Sequence, residues 1–157
     1  MSGYRRGVRL GIDVGKARVG VARSDPDGML AVPVETVPRS ETSIDRLLEI
    51  AAEHEPLEFV VGLPLNMQGV DTPSTADARD FAAELQTRSG IAVRMVDERL
   101  STVAAHAALR SSGRTQKNSR SIVDQVAAVV LLQQAIDTEK STGTAPGSTI
   151  PFDEESR

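Results

Sequence analysis

The sequence contains no cysteine, and aromatic residues make up only 3% of its 157 positions. The absence of cysteine excludes disulfide bonds, thiolate zinc sites and a cysteine nucleophile. The scarcity of aromatic residues argues against a platform on which single-stranded bases would stack. No apolar run is long enough to span a membrane, and the first residues lack the apolar segment of a signal peptide. We therefore expect a cytoplasmic globular protein that does not associate with membranes.

Histidine is also scarce, because His54 and His106 are the only two in the chain. Both fall in segments with a helical pattern, and no G-x-S-x-G motif accompanies them. A Ser-His-Asp hydrolase site is therefore not expected. Any metal ion would be held mainly by carboxylates, which favours a hard ion such as Mg²⁺ or Mn²⁺.

The net charge of -4 conceals two basic segments. Residues 1–24 hold six basic residues and one acid, and residues 91–120 hold six basic residues and two acids. The remainder of the chain is strongly acidic. If the basic residues cluster on one face they suit contact with nucleic acid, whereas scattered and solvated charges would carry no function.

Apolar periodicity and turn signals predict the element order β-β-β-α-β-α-β-α-α. The predicted strands are Val8–Asp13, Val19–Arg23, Leu30–Val37, Leu57–Gly62 and Ile91–Val96. The predicted helices are Thr42–Glu53, a helix capped by Ser74 and ended by Gly90, a helix that begins at Ser101 or Thr102 and stops before Gly113, and Ile122–Thr138. Asp25-Pro-Asp-Gly28 predicts a turn between strands, and Pro33 indicates that the third strand lies at an edge.

These elements predict an α/β fold with a mixed five-stranded sheet and helices on both faces. A three-stranded meander followed by two αβ units is the element order of RNase H-like folds. We expect one domain over residues 1–140. Residues 111–120 are polar and basic and are expected to be mobile. Residues 141–157, rich in Ser, Thr, Gly and Pro, are expected to form a disordered tail.

Acidic residues stand where apolar elements end or begin. Asp13 closes the first predicted strand, Asp97 and Glu98 close the fifth, and Asp124 opens the last helix. Parallel strands bring their carboxyl ends to one edge of a sheet, and alternation lets only one of Asp97 and Glu98 face a given site. Each acid also has a local explanation, as an Asx turn or a helix cap. Their proximity to the basic segments favours a metal-dependent site that cleaves phosphodiesters.

The segment Gly15-Lys-Ala-Arg-Val-Gly20 is not a nucleotide-binding loop of the common types. It is neither a Walker A loop nor G-x-G-x-x-G. A glycine after an acid at the end of a strand also resembles the phosphate loop of sugar kinases and actin-like ATPases. Those proteins close two such domains over the nucleotide, and this chain has room for one, which leaves a small ATP-hydrolysing domain as the weakest of the alternatives.

Three blocks of the sequence carry a resemblance to a known family. They are Gly11-Ile-Asp-Val-Gly-Lys-Ala-Arg-Val-Gly-Val-Ala22, Val60-Val-Gly-Leu-Pro-Leu-Asn-Met-Gln-Gly69 and Val96-Asp-Glu-Arg-Leu-Ser-Thr102, with a weaker fourth block, Val123-Asp-Gln-Val-Ala-Ala128. In this order the chain resembles the YqgF/RuvX family of RNase H-like nucleases over roughly residues 8–137. The family is described as nucleases that process pre-16S rRNA, with resolution of Holliday junctions proposed as another role.

The resemblance implies a catalytic site and its metal ligands. Asp13 matches the acid of the first strand, Glu98 the middle acid with Asp97 as second choice, and Asp124 the acid of the last helix. They would bind one or two Mg²⁺ or Mn²⁺ ions. Many members carry a lysine two residues before the last acid, where this chain has Ile122. The expected contacts to phosphate come from Lys16, Arg18, Arg99, Arg114, Lys117 and Arg120.

The expected partner is nucleic acid, either pre-rRNA or branched DNA. Asn66 and Gln68 could contact a sugar or base, or could serve the loop structurally. The chain would act as a monomer or as a homodimer, and cutting a four-way junction would require two coordinated sites. A non-catalytic factor that binds nucleic acid through the same fold remains an alternative.

Overall fold

A computed structural model describes residues 4–97 and 116–152, and within residues 116–124 it describes only the course of a helix. The strands in these ranges are β1 (Arg9–Val14), β2 (Arg18–Ser24), β3 (Ala31–Pro38), β4 (Glu58–Leu63), β5 (Val93–Asp97) and β6 (Ser148–Thr149). The helices are α1 (Ser43–His54), α2 (Pro73–Ser89) and α3 (Gln116–Thr142). None of these helices combines the length and apolar character needed to cross a membrane.

The strands form one mixed sheet in the order β3-β2-β1-β4-β5-β6. β1, β2 and β3 make an antiparallel meander, and β4 and β5 extend the sheet in parallel with β1. This arrangement confirms the predicted α/β class and meander. It also brings the carboxyl ends of three parallel strands to one edge, which we call the carboxyl edge.

The turn between β2 and β3 follows the chemistry that its sequence predicts. The N–H of Gly28 donates to the carbonyl of Asp25 at 2.9 Å, and Gly28 has the positive φ of +68° that glycine tolerates. The Asp25 carboxylate accepts from the N–H groups of Met29 and Leu30 at 2.6 and 2.9 Å. β3 is an edge strand, as Pro33 predicts.

Helices cover both faces of the sheet. On one face α1 and α2 pack on alternate strand residues such as Leu10, Ile12 and Val61. On the other face α3 packs its Ala128 and Leu132 on small and branched residues of the intervening positions. We call these the α1/α2 face and the α3 face. This confirms the predicted placement of helices on both sides.

The ends of α2 show where the sequence signals are strong and where they are ambiguous. Thr72, not the predicted Ser74, is the N-cap, because the side chains of Thr72 and Thr75 each accept from the other's backbone N–H. Pro73 occupies the first turn, where its missing N–H costs no hydrogen bond. Gly90 ends the helix in the left-handed conformation, as predicted.

The carboxyl-terminal part of the chain is more ordered than its composition predicts. The last helix begins at Gln116 rather than Ile122 and ends at Thr142, so the expected mobile segment is helical from residue 116. β6 adds a sixth strand by pairing antiparallel with β5, and the side chain of Gln86 donates to the carbonyl of Ile150 at 2.9 Å. Main-chain pairing, this amide and the packing of Ile150 against the core order residues 148–150, and residues 141–142 belong to α3, so the expectation of disorder is wrong for these residues. The predicted helix from Ser101 or Thr102 lies outside the described residues.

A group of charges, of which Arg9, Glu58 and Glu139 are buried, joins the segment before β1 to the end of α3 at the opposite edge of the sheet. The Arg5 guanidinium donates to the carboxylates of Glu139 and Glu58, with nearest N–O distances of 2.8 and 3.2 Å. Arg9 is 1% exposed and lies 3.4 Å from Glu139, and Arg94 donates to Glu58 at 3.2 Å. These contacts fix the end of α3 against the amino ends of β1, β4 and β5.

Candidate functional site

Asp13 lies at the carboxyl edge, next to the last residue of β1. Its register partner in β2 is Gly20, which in turn pairs with Thr36 in β3. Asp13 shares a face with Gly11 because alternate residues of a strand point the same way, and a Cβ on Gly11 would meet Leu132 of α3. The half-buried Asp13 therefore belongs to the α3 face.

One turn of α3 lies over the row of paired residues that runs across β1, β2 and β3, namely Asp13, Gly20 and Thr36. The Gln125 side-chain amide donates to the Thr36 hydroxyl at 3.0 Å, and Thr36 belongs to the row of Asp13. Asp124 precedes Gln125 in this turn, and the structure describes its place in the helix but not its side chain. The fold thus brings the turn that contains Asp124 to the face on which Asp13 lies.

Asp97 ends β5 on the other face of the sheet. It pairs with Leu63, which packs into the core beneath α1 and α2, and its neighbour Val96 packs instead against the α3 core. Asp97 is exposed and therefore lies on the α1/α2 face, opposite to Asp13. Glu98 lies outside the described residues.

The hairpin turn that joins β1 to β2 carries two of the predicted phosphate-binding residues. The Gly15 N–H donates to the Arg18 carbonyl at 2.9 Å, which leaves Lys16 and Ala17 as the loop. A Cβ on Gly15 would approach the same carbonyl oxygen to 2.8 Å, so this close turn requires glycine. Arg18 is half-buried on the α3 face, since the adjacent Val19 packs beneath α1 and α2, whereas Lys16 is exposed.

Arg39 supports this turn from the α1/α2 face. Its guanidinium donates to the Gly15 carbonyl at 2.8 Å and to both oxygens of Asp77 at 2.7 and 2.9 Å. It also lies over the Phe81 ring, 4.9 Å from the centroid. The hydrogen bonds that Arg39 donates to Asp77 lower the pKa of the Asp77 carboxyl and raise the pKa of the Arg39 guanidinium. The sequence contains no local signal for this pair, because only the packing of α2 brings Asp77 to Arg39.

A cleft of about 510 Å³ opens between the hairpin turn, the residues before α1 and the start of α2. Its lining consists of Lys16, Arg39, Ser40, Glu41, Pro73, Ser74 and Asp77. Lys16 also lowers the pKa of Asp77 through space, which places its charge on the α1/α2 side of the carboxyl edge. Lys16 and Arg18 therefore flank the edge from two sides rather than sharing one face.

Asn66 serves the structure of the loop that follows β4. Its side-chain oxygen accepts from the N–H groups of Gln68 and Val70, each at 2.9 Å. Asn66 thus uses its acceptor oxygen within the loop, which favours the structural one of the two predicted roles. Gln68 is exposed at the loop surface.

The remaining predicted site residues are placed only in part. Lys117 and Arg120 lie in the first turns of α3, and Arg99 and Arg114 lie outside the described residues. Where side chains are described, no group of three His, Cys, Asp or Glu residues could hold a metal ion. Asp13 is the predicted metal ligand within that part of the chain, and a carboxylate is the kind of donor that hard divalent cations prefer.

Comparison with known proteins gives one family. The family model described as "RuvX: Holliday junction resolvase" matches residues 7–138 of the chain. A Clavibacter sepedonicus protein named "Putative pre-16S rRNA nuclease" is 53% identical over 150 residues, which cover 94% of this chain and 93% of that protein. A Leifsonia xyli subsp. xyli protein of the same name is 54% identical over 148 residues, covering 93% and 96% respectively.

The solved structures that are similar to the chain support the RNase H-like fold. Thermus thermophilus RuvC in complex with a Holliday junction substrate matches with a TM-score of 0.57. The match covers 92% of this chain and 99% of RuvC at 17% identity. At that identity the likeness concerns the fold, and it agrees with the mixed sheet and the two helical layers.

Proposed function

Because the chain belongs to the RuvX family, we propose that it hydrolyses phosphodiester bonds at the 5′ end of the 16S rRNA precursor, at a site formed by Asp13, Glu98 and Asp124. The placement of Asp13 carries this proposal, because its carboxylate is on the face and row that the turn with Asp124 covers. Glu98 is preferred to Asp97, since Asp97 lies on the opposite face. The assignment implies action in the cytoplasm.

The three carboxylates would hold one or two Mg²⁺ or Mn²⁺ ions. Such ions supply a nucleophilic water at neutral pH and stabilise the charge on the leaving oxygen. Because β1 is paired on both sides, the backbone at Asp13 is fixed, and with it the face of the sheet from which its side chain projects. Its role in this proposal is to bind and orient the metal ion.

The basic residues would hold the phosphates that flank the cut bond. Arg18 lies on the α3 face with Asp13, and Lys117 and Arg120 belong to the first turns of the helix that covers this face. Arg99 and Arg114 would add further phosphate contacts. Lys16 would contact the nucleic acid on the α1/α2 side of the carboxyl edge. Contacts of this kind set the position of a nucleic acid without reading its sequence.

A second candidate substrate is the four-way DNA junction. The description of the matching family model and the fold likeness to RuvC in complex with a junction favour it. One chain would supply one site, and resolution of a junction requires two coordinated cuts. This candidate therefore requires a homodimer, whereas cleavage of pre-rRNA needs only a monomer.

A cleavage assay with Mg²⁺ or Mn²⁺ separates these candidates. The purified chain is given a 5′ precursor segment of 16S rRNA in one arm and a four-way DNA junction in the other. We expect cutting of the RNA, and loss of about 100-fold or more with Asp13→Asn or Asp124→Asn, because each removes a charged ligand of an ion that is worth several kcal/mol. Undiminished cutting by Asp13→Asn would remove that residue from the site. Binding of RNA without cutting in any metal would favour the non-catalytic alternative.

A further inference from the structure

The loop between β4 and α2 exposes two apolar side chains at the carboxyl edge. Met67 is 82% exposed and Val70 is 56% exposed, although large apolar side chains such as these are usually buried. β4 lies between β1 and β5 in the sheet, so its loop leaves the edge between the strands that carry Asp13 and Asp97. Exposed apolar groups beside a polar site are a feature of binding surfaces.

The loop is held in shape by its own hydrogen bonds. Asn66 accepts from Gln68 and Val70 through its side chain and from Gly69 through its carbonyl, and its N–H donates to the Val70 carbonyl at 3.0 Å. Gly69 supplies the positive φ of +78° that this closure needs. The backbone of the loop therefore has little conformational entropy left to lose on binding.

The start of α2 anchors the other end of the same loop. The Thr75 hydroxyl donates to the Pro64 carbonyl, and Thr75 also forms the reciprocal cap with Thr72. Both ends of the loop are thus fixed to the body of the fold. The exposure of Met67 is a property of an ordered segment, and its side chain projects from a defined position at the carboxyl edge.

We propose that Met67, supported by Val70, contacts the face of an unstacked base of the substrate next to the cut bond. This inference rests on the proposed function, because it requires a nucleic acid at the carboxyl edge. Methionine has a polarisable thioether that packs well on aromatic rings, and apolar side chains inserted between base steps stabilise unstacked nucleic acid. In a chain with 3% aromatic residues, Met67 would do what an aromatic ring does in other proteins.

The contact would select substrate shape rather than sequence. A thioether has no strong donor with which to read the edge of a base. The Met67 contact is most favourable with a base that is already unstacked, as at a junction between a stem and a single strand. Met67 would therefore favour structured substrates with an unpaired base at the site of cutting.

The test uses the full chain and a stem-loop RNA with 2-aminopurine at the first unpaired position. The chain lacks tryptophan, so the fluorescence of the base can be followed without interference. Binding is measured in an Asp13→Asn background so that the RNA stays intact. We expect a rise in fluorescence on binding, its loss with the added change Met67→Ser, and its recovery with Met67→Leu.

The matched control is Leu30→Ser. Leu30 is 60% exposed in the β2–β3 turn, at the opposite edge of the sheet, so its loss removes an exposed apolar group without touching the site. This control should bind and unstack the RNA like its parent. In the cleaving protein, Met67→Ser should raise KM about 3- to 10-fold with kcat little changed, as expected for loss of one sulfur–ring contact.

The outcomes distinguish this inference from the proposed function. If Met67→Ser keeps both the fluorescence rise and the KM, the inference is overturned while the proposed function stands. The inference also fails if the parent protein binds the RNA without any rise in fluorescence. If Asp13→Asn leaves cleavage of the RNA intact, the proposed site fails instead, whatever Met67 does.

Discussion

Asp13 and Asp97 stand at the same edge of the sheet and on opposite faces of it. Asp13 shares the α3 face with Gly11, and Asp97 shares the α1/α2 face with its register partner Leu63. A metal ion held on the α3 face is therefore out of reach of the Asp97 side chain. This relationship counts against Asp97 as the middle acid and leaves Glu98, which lies outside the described residues, as the predicted one.

The first prediction follows from that relationship. Asp97→Asn should leave metal-dependent cleavage within about 3-fold of the parent rate, and Glu98→Gln should lower it by at least about 100-fold, as loss of a ligand does. Both changes are isosteric and remove one charge, so each is the control for the other. The measurement is kcat on the precursor RNA with Mg²⁺ or Mn²⁺. The reverse order of the two rates would assign the ligand to Asp97.

A second prediction concerns the contact between β1 and α3. A Cβ on Gly11 would lie 2.8 Å from the Cβ of Leu132 and 3.0 Å from the Ala128 carbonyl. Gly11→Ala should therefore push α3 away from the sheet, at a cost of about 1–3 kcal/mol in the free energy of unfolding. It should also lower cleavage, because the displaced helix carries Asp124.

Gly90→Ala is the matched control for that change. Nothing lies within 4 Å of a Cβ on Gly90, but its φ of +72° disfavours alanine, so this change also destabilises the fold. The two variants are compared by urea unfolding and by kcat at a temperature where both are folded. If Gly90→Ala loses as much activity as Gly11→Ala, the loss of activity is due to reduced stability and not to displacement of α3.

The sequence predicts the sheet well because its signals are local. Apolar runs, the Asp25 turn and Pro33 each act over a few residues, and the structure confirms the strands they predict. The predicted cap at Ser74 fails because Thr72 satisfies the same pattern two residues earlier and also gains the reciprocal bond with Thr75. Local rules thus locate the helix but not its first residue.

Other features depend on contacts between distant parts of the chain. β6 forms through main-chain pairing with β5, which the Ser- and Gly-rich composition of its segment does not signal. The face of Asp97 depends on which residue of β5 meets α3, and the packing of Val96 settles it. Arg39 supports the Gly15 turn only because α2 brings Asp77 to it. The positions of Asp13 and Asp97 at the ends of strands could be predicted from the sequence, whereas the face on which each lies required the packed structure.

The third prediction concerns acid stability. Burial acts to raise the pKa of Glu139, but its hydrogen bonds with Arg5 and the nearby charge of Arg9 lower it from 4.5 to about 2. A lowered folded-state pKa stabilises the fold above the unfolded value, and this contribution is lost as the pH falls from 4.5 to about 2. Glu139→Gln should therefore reduce the dependence of the unfolding free energy on pH in that window.

The same variant leaves Arg9 buried without its charged partner, so it should lose about 3 kcal/mol at neutral pH. Asp25→Asn is the control, because its carboxyl also has a lowered pKa but is bonded to N–H groups of the β2–β3 turn rather than to a buried arginine. It should cost little at neutral pH. Urea unfolding at a series of pH values measures both effects, and an unchanged slope for Glu139→Gln would contradict the assignment of the acid transition to Glu139.

The fourth prediction asks whether the nucleic acid crosses the carboxyl edge. Lys16 lies on the α1/α2 side and Arg18 on the α3 side, so a strand that contacts both must pass over the hairpin turn. Each lost phosphate contact reduces the slope of log K against log salt by about 0.7 for a single strand. Lys16→Ala and Arg18→Ala should therefore each reduce the slope by about that amount.

Arg46→Ala is the control and should leave the salt slope unchanged, because Arg46 pairs with Glu35 away from this turn. Binding of RNA to the Asp13→Asn protein at several salt concentrations gives the slopes. A reduced slope for Arg18→Ala alone would mean that the strand stays on the α3 face, because a strand that never reaches Lys16 releases no counterion there.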